Sequence, residues 1–143
     1  MPARSKLPRV STFYLTDIYG KRRKCKLWWR DKRKIMYEGS DCYALAVHFG
    51  ADQPGVLLHI NVRGRALREY LTHESLHLVF PCINETTIDS IGLAVSCYPA
   101  PYDVALRRTL LSMCPWMGSD DIMQFATEML KISRLAALQE RWE

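Results

Sequence analysis

The chain lacks any apolar run near the roughly 20 residues that cross a bilayer, and it contains no CxxC pair, no internal repeat and no low-complexity tract. The first nine residues are basic but have no apolar stretch, so no secretory signal is expected there. Its five cysteines (Cys25, Cys42, Cys82, Cys97 and Cys114) are odd in number and scattered. That argues against a disulfide framework and against a four-cysteine zinc site. Most of them are expected to be small buried apolar groups in a reducing compartment. Together these absences lead to the expectation of a cytoplasmic protein that does not engage a membrane. At 143 residues the chain is too short for a dinucleotide domain joined to a substrate domain, or for a TIM barrel. With 48% hydrophobic residues it is long and apolar enough to bury one core.

Acid is scarce in the leading quarter. Residues 1–35 hold 12 Lys/Arg against 2 Asp/Glu, whereas the remainder holds 8 against 13. A basic leading segment joined to an acidic body could present a surface to an anionic polymer. Residues 1–9, polar and with two prolines, read as a flexible basic arm. Residues 10–143 read as a single domain.

Local pattern divides that domain in two. Residues 10–19 are β-branched and aromatic and end at Gly20, residues 42–49 and 56–62 read as strands, and GADQPG between the latter is a turn. From residue 65 to 80 there is no proline or glycine, which suits a helix, and Pro81 stops it. Asn84 can cap a second helix over 85–97, with Glu85 and Asp89 in its first turns and Gly92 as a weak point in its middle. A third helix is expected over 103–114 and a long fourth over 119–142, with Ser119 as its cap. Ile122, Phe125, Ala126, Met129, Ile132 and Leu135 would form the core stripe of that last helix. The expected fold is α+β: a small antiparallel or mixed N-terminal sheet packed on a helical C-terminal half.

Only four histidines are present, and two fall in one motif. Residues 73–77 read His-Glu-Ser-Leu-His, the HExxH pattern, within the first expected helix. Side chains four apart share a helix face, so His73 and His77 can both offer a nitrogen to one Zn2+. Glu74 borders the same open side and can act as general base toward a water on the metal. A catalytic zinc takes a third protein ligand, and Glu85 and Asp89 follow at short range. A turn at Pro81 folds the second helix back, bringing Glu85 toward His77 and Asp89 toward His73. Either Glu85 is the third ligand and Asp89 accepts from the other nitrogen of His73, or the two exchange roles.

The segment His73-Glu74-Ser75-Leu76-His77, followed by Asn84-Glu85-Thr86-Thr87-Ile88-Asp89, resembles the zincin metallopeptidases. Its second part is similar to the NExxxD element of the gluzincin branch, the thermolysin-like enzymes. The resemblance covers roughly residues 56–97 and extends to small bacterial and phage-encoded zincin-like proteins. It implies a zincin-like fold and peptide-bond hydrolysis. It also implies zinc on His73, His77 and Glu85, Glu74 as base, and Asp89 behind His73. The interval between the two motifs is much shorter than in thermolysin-like enzymes, so only a minimal form fits. No HExxHxxGxxH is present, unlike the metzincin branch. His59, Tyr98 and Tyr102 are the nearest candidates for a further transition-state donor. Ordinary roles compete: a strand-surface histidine, and packed tyrosines with satisfied hydroxyls. An edge strand near His59 could pair with an extended protein or peptide substrate.

Two other readings belong beside the peptidase. Residues 21–34 interleave Lys/Arg with Trp28 and Trp29, a composition that can hold phosphates and stack on bases, so nucleic acid is a second candidate partner. The same block could equally be a solvated strand pair whose charged stems cover the tryptophans. The chain could also be a regulatory interaction module whose zinc is structural or inactive.

Overall fold

The computed structural model describes residues 10–30, 35–37 and 40–140, and of residues 35–37, 40, 41 and 140 the backbone alone. The expected basic arm, the end of the basic block at 31–34 and the last residues of the fourth expected helix lie outside them. Ten elements follow in order: β1 (Val10–Thr16), β2 (Arg22–Arg30), β3 (Ile35–Tyr37), β4 (Ser40–Cys42), β5 (Ala44–Val47), β6 (Gly55–His59), α1 (Arg65–Val79), α2 (Glu85–Cys97), α3 (Tyr102–Met113) and α4 (Ser119–Glu140). The fold is α+β, with a mixed four-stranded sheet from the N-terminal half and four helices from the C-terminal half.

The sheet order is β1-β2-β6-β5. β1 and β2 form an antiparallel hairpin, β6 runs parallel to β2, and β5 returns antiparallel on β6. β3 and β4 make a separate two-stranded piece. The parallel pairing brings two backbones unusually close at Gly55. A Cβ there would sit 1.9 Å from the Lys26 carbonyl oxygen, and φ is 157°, so glycine is required. The 56–62 strand, expected as a possible edge, is therefore an inner strand, and β5 is the edge.

The hairpin turn is closed by Asp17. Its carboxylate accepts from the Tyr19 and Lys21 N–H groups and from Arg23 Nε, each at 2.9 Å. Burial alone would raise this carboxyl, but the Lys21 N–H, Arg23 and the Tyr19 N–H outweigh it and hold it below the usual aspartate range.

The helices cover one face of the sheet. Cys25, Leu27 and Trp29 of β2, and Val56 and Leu58 of β6, meet Leu71, Leu76, Ile88, Ile91 and Phe125 from the helices in one core. Each such side chain contributes about 2 kcal/mol by leaving water. The Trp29 indole N–H donates to Gln139 on α4 at 2.6 Å, which satisfies its polar edge inside the core. In α4 the core stripe runs Ile122, Phe125, Ala126, Met129, Ile132 and then Ala136, while Leu135 is only half-buried. The 3.6-residue period carries the stripe one position past the expected Leu135. Ser119 is the first residue of α4 itself, and the Gly118 carbonyl accepts the first helical bond from Ile122.

Two other expectations are corrected. Only Cys25 and Cys114 are buried, while Cys82 and Cys97 are exposed because they sit in a helix-to-helix turn and in the last turn of α2. His59 is buried rather than on the strand surface. It ends β6, accepts from the Asn61 N–H and packs edge-on against Tyr43. Among the described residues, no helix is long and apolar enough to cross a membrane.

Candidate metal centre

The site is built by two consecutive helices. α1 ends where Phe80 donates its N–H to Leu76 and Ile83 donates to Phe80, with Pro81 between them. Asn84 then caps α2, its side-chain oxygen accepting from the Thr87 N–H at 2.8 Å. Glu85 is consequently the first helical residue, where a carboxylate suits the helix dipole. Asp89 lies one turn further along.

The reversal at Pro81 lays the two helices antiparallel, so that His73 and His77 on α1 face Asp89 and Glu85 on α2. Gly92 lets them approach. A Cβ at that position would meet the Glu69 carbonyl at 3.2 Å and His73 Cβ at 3.7 Å. The residue that weakens α2 by propensity therefore brings its carboxylates within reach of the histidines.

The donor atoms converge. His73 Nε2 and His77 Nε2 lie 3.1 Å apart. Glu85 spans both, with Oε1 at 3.1 Å from His73 Nε2 and Oε2 at 2.8 Å from His77 Nε2. Ligand atoms bound to a tetrahedral zinc at 2.0–2.1 Å stand about 3.3 Å apart, so the donor set fits a zinc ion. Asp89 Oδ1 is 3.2 Å from His73 Nδ1, on the opposite side of the ring. A proton on Nδ1 donated to Asp89 leaves the Nε2 lone pair free for a cation. Asp89 thus meets the His73 ring at Nδ1, while Glu85 meets both Nε2 atoms.

Glu74 closes the site from below. It is 8% exposed, with Oε2 at 3.9 Å from His73 Nε2. Burial pushes its carboxyl up to about 7. His73 and the Ala46 N–H work against that rise, while Glu85 and Asp89 add to it. Burial also holds the His77 imidazole below the usual histidine range, which favours the neutral form that binds metals. His73, Glu74 and His77 form one donor group and His73, Glu85 and Asp89 a second, each with atoms within 4.8 Å of one another. Among the described residues, no Lys or Arg pairs with Glu74, Glu85 or Asp89.

A cleft of about 770 Å³ opens over these groups. Its far wall is the β5 edge, with Tyr43, Ala44, Leu45, Ala46 and His48. Tyr98 and Tyr102 do not line this cleft. The Tyr102 hydroxyl is buried against Thr72, and the Tyr98 hydroxyl accepts from Arg108 at 2.9 Å. The tyrosines beside the site are Tyr43 and Tyr70, their rings 6.4 Å apart, neither named from the sequence. Tyr70 was findable, since it stands three residues before His73 on one helix face. Tyr43 carried no such signal, because its position depends on which strand is the edge. Comparison with protein-family models, with curated proteins and with solved structures finds no match for this chain.

Proposed function

We propose that the chain is a minimal zincin-like metallopeptidase that hydrolyses peptide bonds in a protein or peptide substrate. His73, His77 and Glu85 would hold the zinc, Glu74 serves as general base, and Asp89 orients His73. The observation that carries this reading is the meeting of two imidazole Nε2 atoms and one carboxylate at 2.8–3.1 Å, beside a buried second carboxylate. Three ligands and an adjoining cleft suit a catalytic site, whereas structural zinc sites close with four ligands.

When bound, zinc polarises a substrate carbonyl and acidifies a water. Glu74 takes the proton from that water and returns it to the leaving amine nitrogen. Its carboxyl near 7 suits both halves of that exchange, and a dication nearby would favour the ionised form. The β5 edge supports an extended substrate. Tyr43 spends its carbonyl on His59 N–H, so alternation turns the backbone groups of Ala44 and Ala46 outward toward the cleft, where the Ala46 N–H already meets Glu74 and the other groups can face a substrate. A cytoplasmic location is part of the proposal, resting on the odd, scattered set of five cysteines.

The test joins metal analysis to a protease assay on an unfolded protein. Glu74→Gln should retain zinc and lose about 10²–10⁴-fold in rate. His73→Ala and Glu85→Ala should lose the metal. Cleavage by Glu74→Gln at the parent rate would remove Glu74 from its role. A chain that unfolds on chelation and never cleaves would be a structural-zinc module instead.

A further inference from the structure

The basic block divides when it folds. β2 alternates, so Cys25, Leu27 and Trp29 enter the core beneath the helices. Arg22, Lys24 and Arg30 are exposed on the opposite face of the sheet, with Lys26 and Trp28 half-buried among them. β1 adds to this face through the register Val10↔Trp28, Thr12↔Lys26 and Tyr14↔Lys24. The Arg22 guanidinium lies over the Tyr14 ring at 3.9 Å, and Lys26 Nζ donates to the Thr12 hydroxyl at 2.9 Å. Arg23, by contrast, is on the core side and is spent on Asp17. Among the described residues, none of Arg22, Lys24, Lys26 and Arg30 meets a carboxylate. The nearest acid at the β1 edge, Glu128, is engaged by the Thr16 N–H and hydroxyl.

We propose that this face binds single-stranded nucleic acid through its phosphates. Successive cations on one side of a strand stand about 6.7 Å apart, a stride matched to the phosphates of an extended single strand. Trp28 lies between Lys26 and Arg30, and Tyr14 flanks Lys24 from β1; bases can stack on Trp28 and on the Tyr14 face that Arg22 does not cover. β1 and β2 are part of a four-stranded sheet and present this face broadside, not as an isolated ribbon or helix that enters a duplex groove, so duplex is the poorer ligand. Neither phosphate contacts nor stacking read base identity or the 2′-hydroxyl, so DNA and RNA single strands bind alike. The face is independent of the metal centre, which opens at the β5 edge, two strands away from β2.

The test is fluorescence anisotropy of the full chain with labelled oligothymidine and oligouridine, a duplex of equal length, and phosphatidylserine vesicles. Four phosphate contacts on a single strand give a log–log salt slope of about −2.8, so affinity should fall about fifty-fold between about 50 and 200 mM salt. Lys24→Glu combined with Lys26→Glu should remove about half of that slope and weaken binding at least about ten-fold, with zinc content unchanged. Tyr14→Ala, at an exposed position, should cost about ten-fold for both oligonucleotides. No binding at low salt overturns the proposal, as does unchanged binding by the charge-reversed chain. So do a duplex bound as tightly as the single strands, and vesicle binding that oligonucleotides do not displace.

Discussion

The Asp17 turn and the α1–α2 cluster both hold carboxylates at a reversal of the chain, yet only the first supplies its own donors. Asp17 accepts two backbone N–H groups and a guanidinium, all within six residues of itself, and its carboxyl is held low. Glu74, Glu85 and Asp89 converge on two imidazoles with no Lys or Arg partner among the described residues, and Glu74 is pushed up to about 7. A carboxylate that serves the fold is surrounded by donors from its own turn. The α1–α2 carboxylates have no such set of donors and meet imidazoles instead. The difference is one of surroundings, since both sets lie on short stretches of chain.

The sharpest way to break this contrast is to separate the two helices. Gly92→Leu forces a side chain against the Glu69 carbonyl and His73, and should cost about 3 kcal/mol by overpacking. It should also abolish zinc binding. Thermal unfolding and a zinc titration check both, and parent-like binding would show that close approach at Gly92 is not what assembles the site.

Asp89→Asn is milder. The side chain is largely exposed, so stability should hold while zinc affinity drops about 10–100-fold through loss of the His73 orientation. Competition with a chelator of known affinity measures it. A larger loss, equal to that of Glu85→Ala, would move Asp89 into the ligand set.

Asp17→Asn probes the other member of the comparison, with no effect expected on metal. Because the folded carboxyl lies below its unfolded value, its stabilisation is fully present above the ordinary aspartate range. It fades as pH falls through the lower folded value. The parent and variant melting temperatures should therefore differ near neutral pH and converge in strong acid. A gap that persists there would remove the charge from the explanation.

The smallest effect is expected at Ser75, whose buried hydroxyl finds no partner among the described residues. Ser75→Ala should leave stability within about 0.5 kcal/mol or raise it slightly, as measured by denaturant unfolding.

Much of the helical half was legible before the structure. Pro81, Asn84 and Pro115 punctuate the chain by local chemistry, and the observed helix limits follow them closely. The sheet was less legible. A period of two says which side chains share a face, but not which strand is the neighbour, so the parallel β2–β6 pairing and the β5 edge needed the whole fold. The same limit hid Tyr43, the Ala46 N–H and the burial of His59. Glu85 and Asp89 were both nameable from spacing alone. Which one faces the two Nε2 atoms depends on the depth at which the helices mesh, and Gly92 governs that depth.

The five residues from His73 to Asp89 lie within 17 consecutive positions of the chain. Closing that hairpin requires only a five-residue link, at little entropic cost. The wall opposite is different, because β5 reaches the cleft only after β6 has joined β2 across the middle of the sheet. On the proposed function, reactivity is a local property of one helical hairpin, while choice of substrate belongs to the tertiary fold. The two can vary independently, and the wall can be rewritten without disturbing the hairpin that gathers the donor atoms.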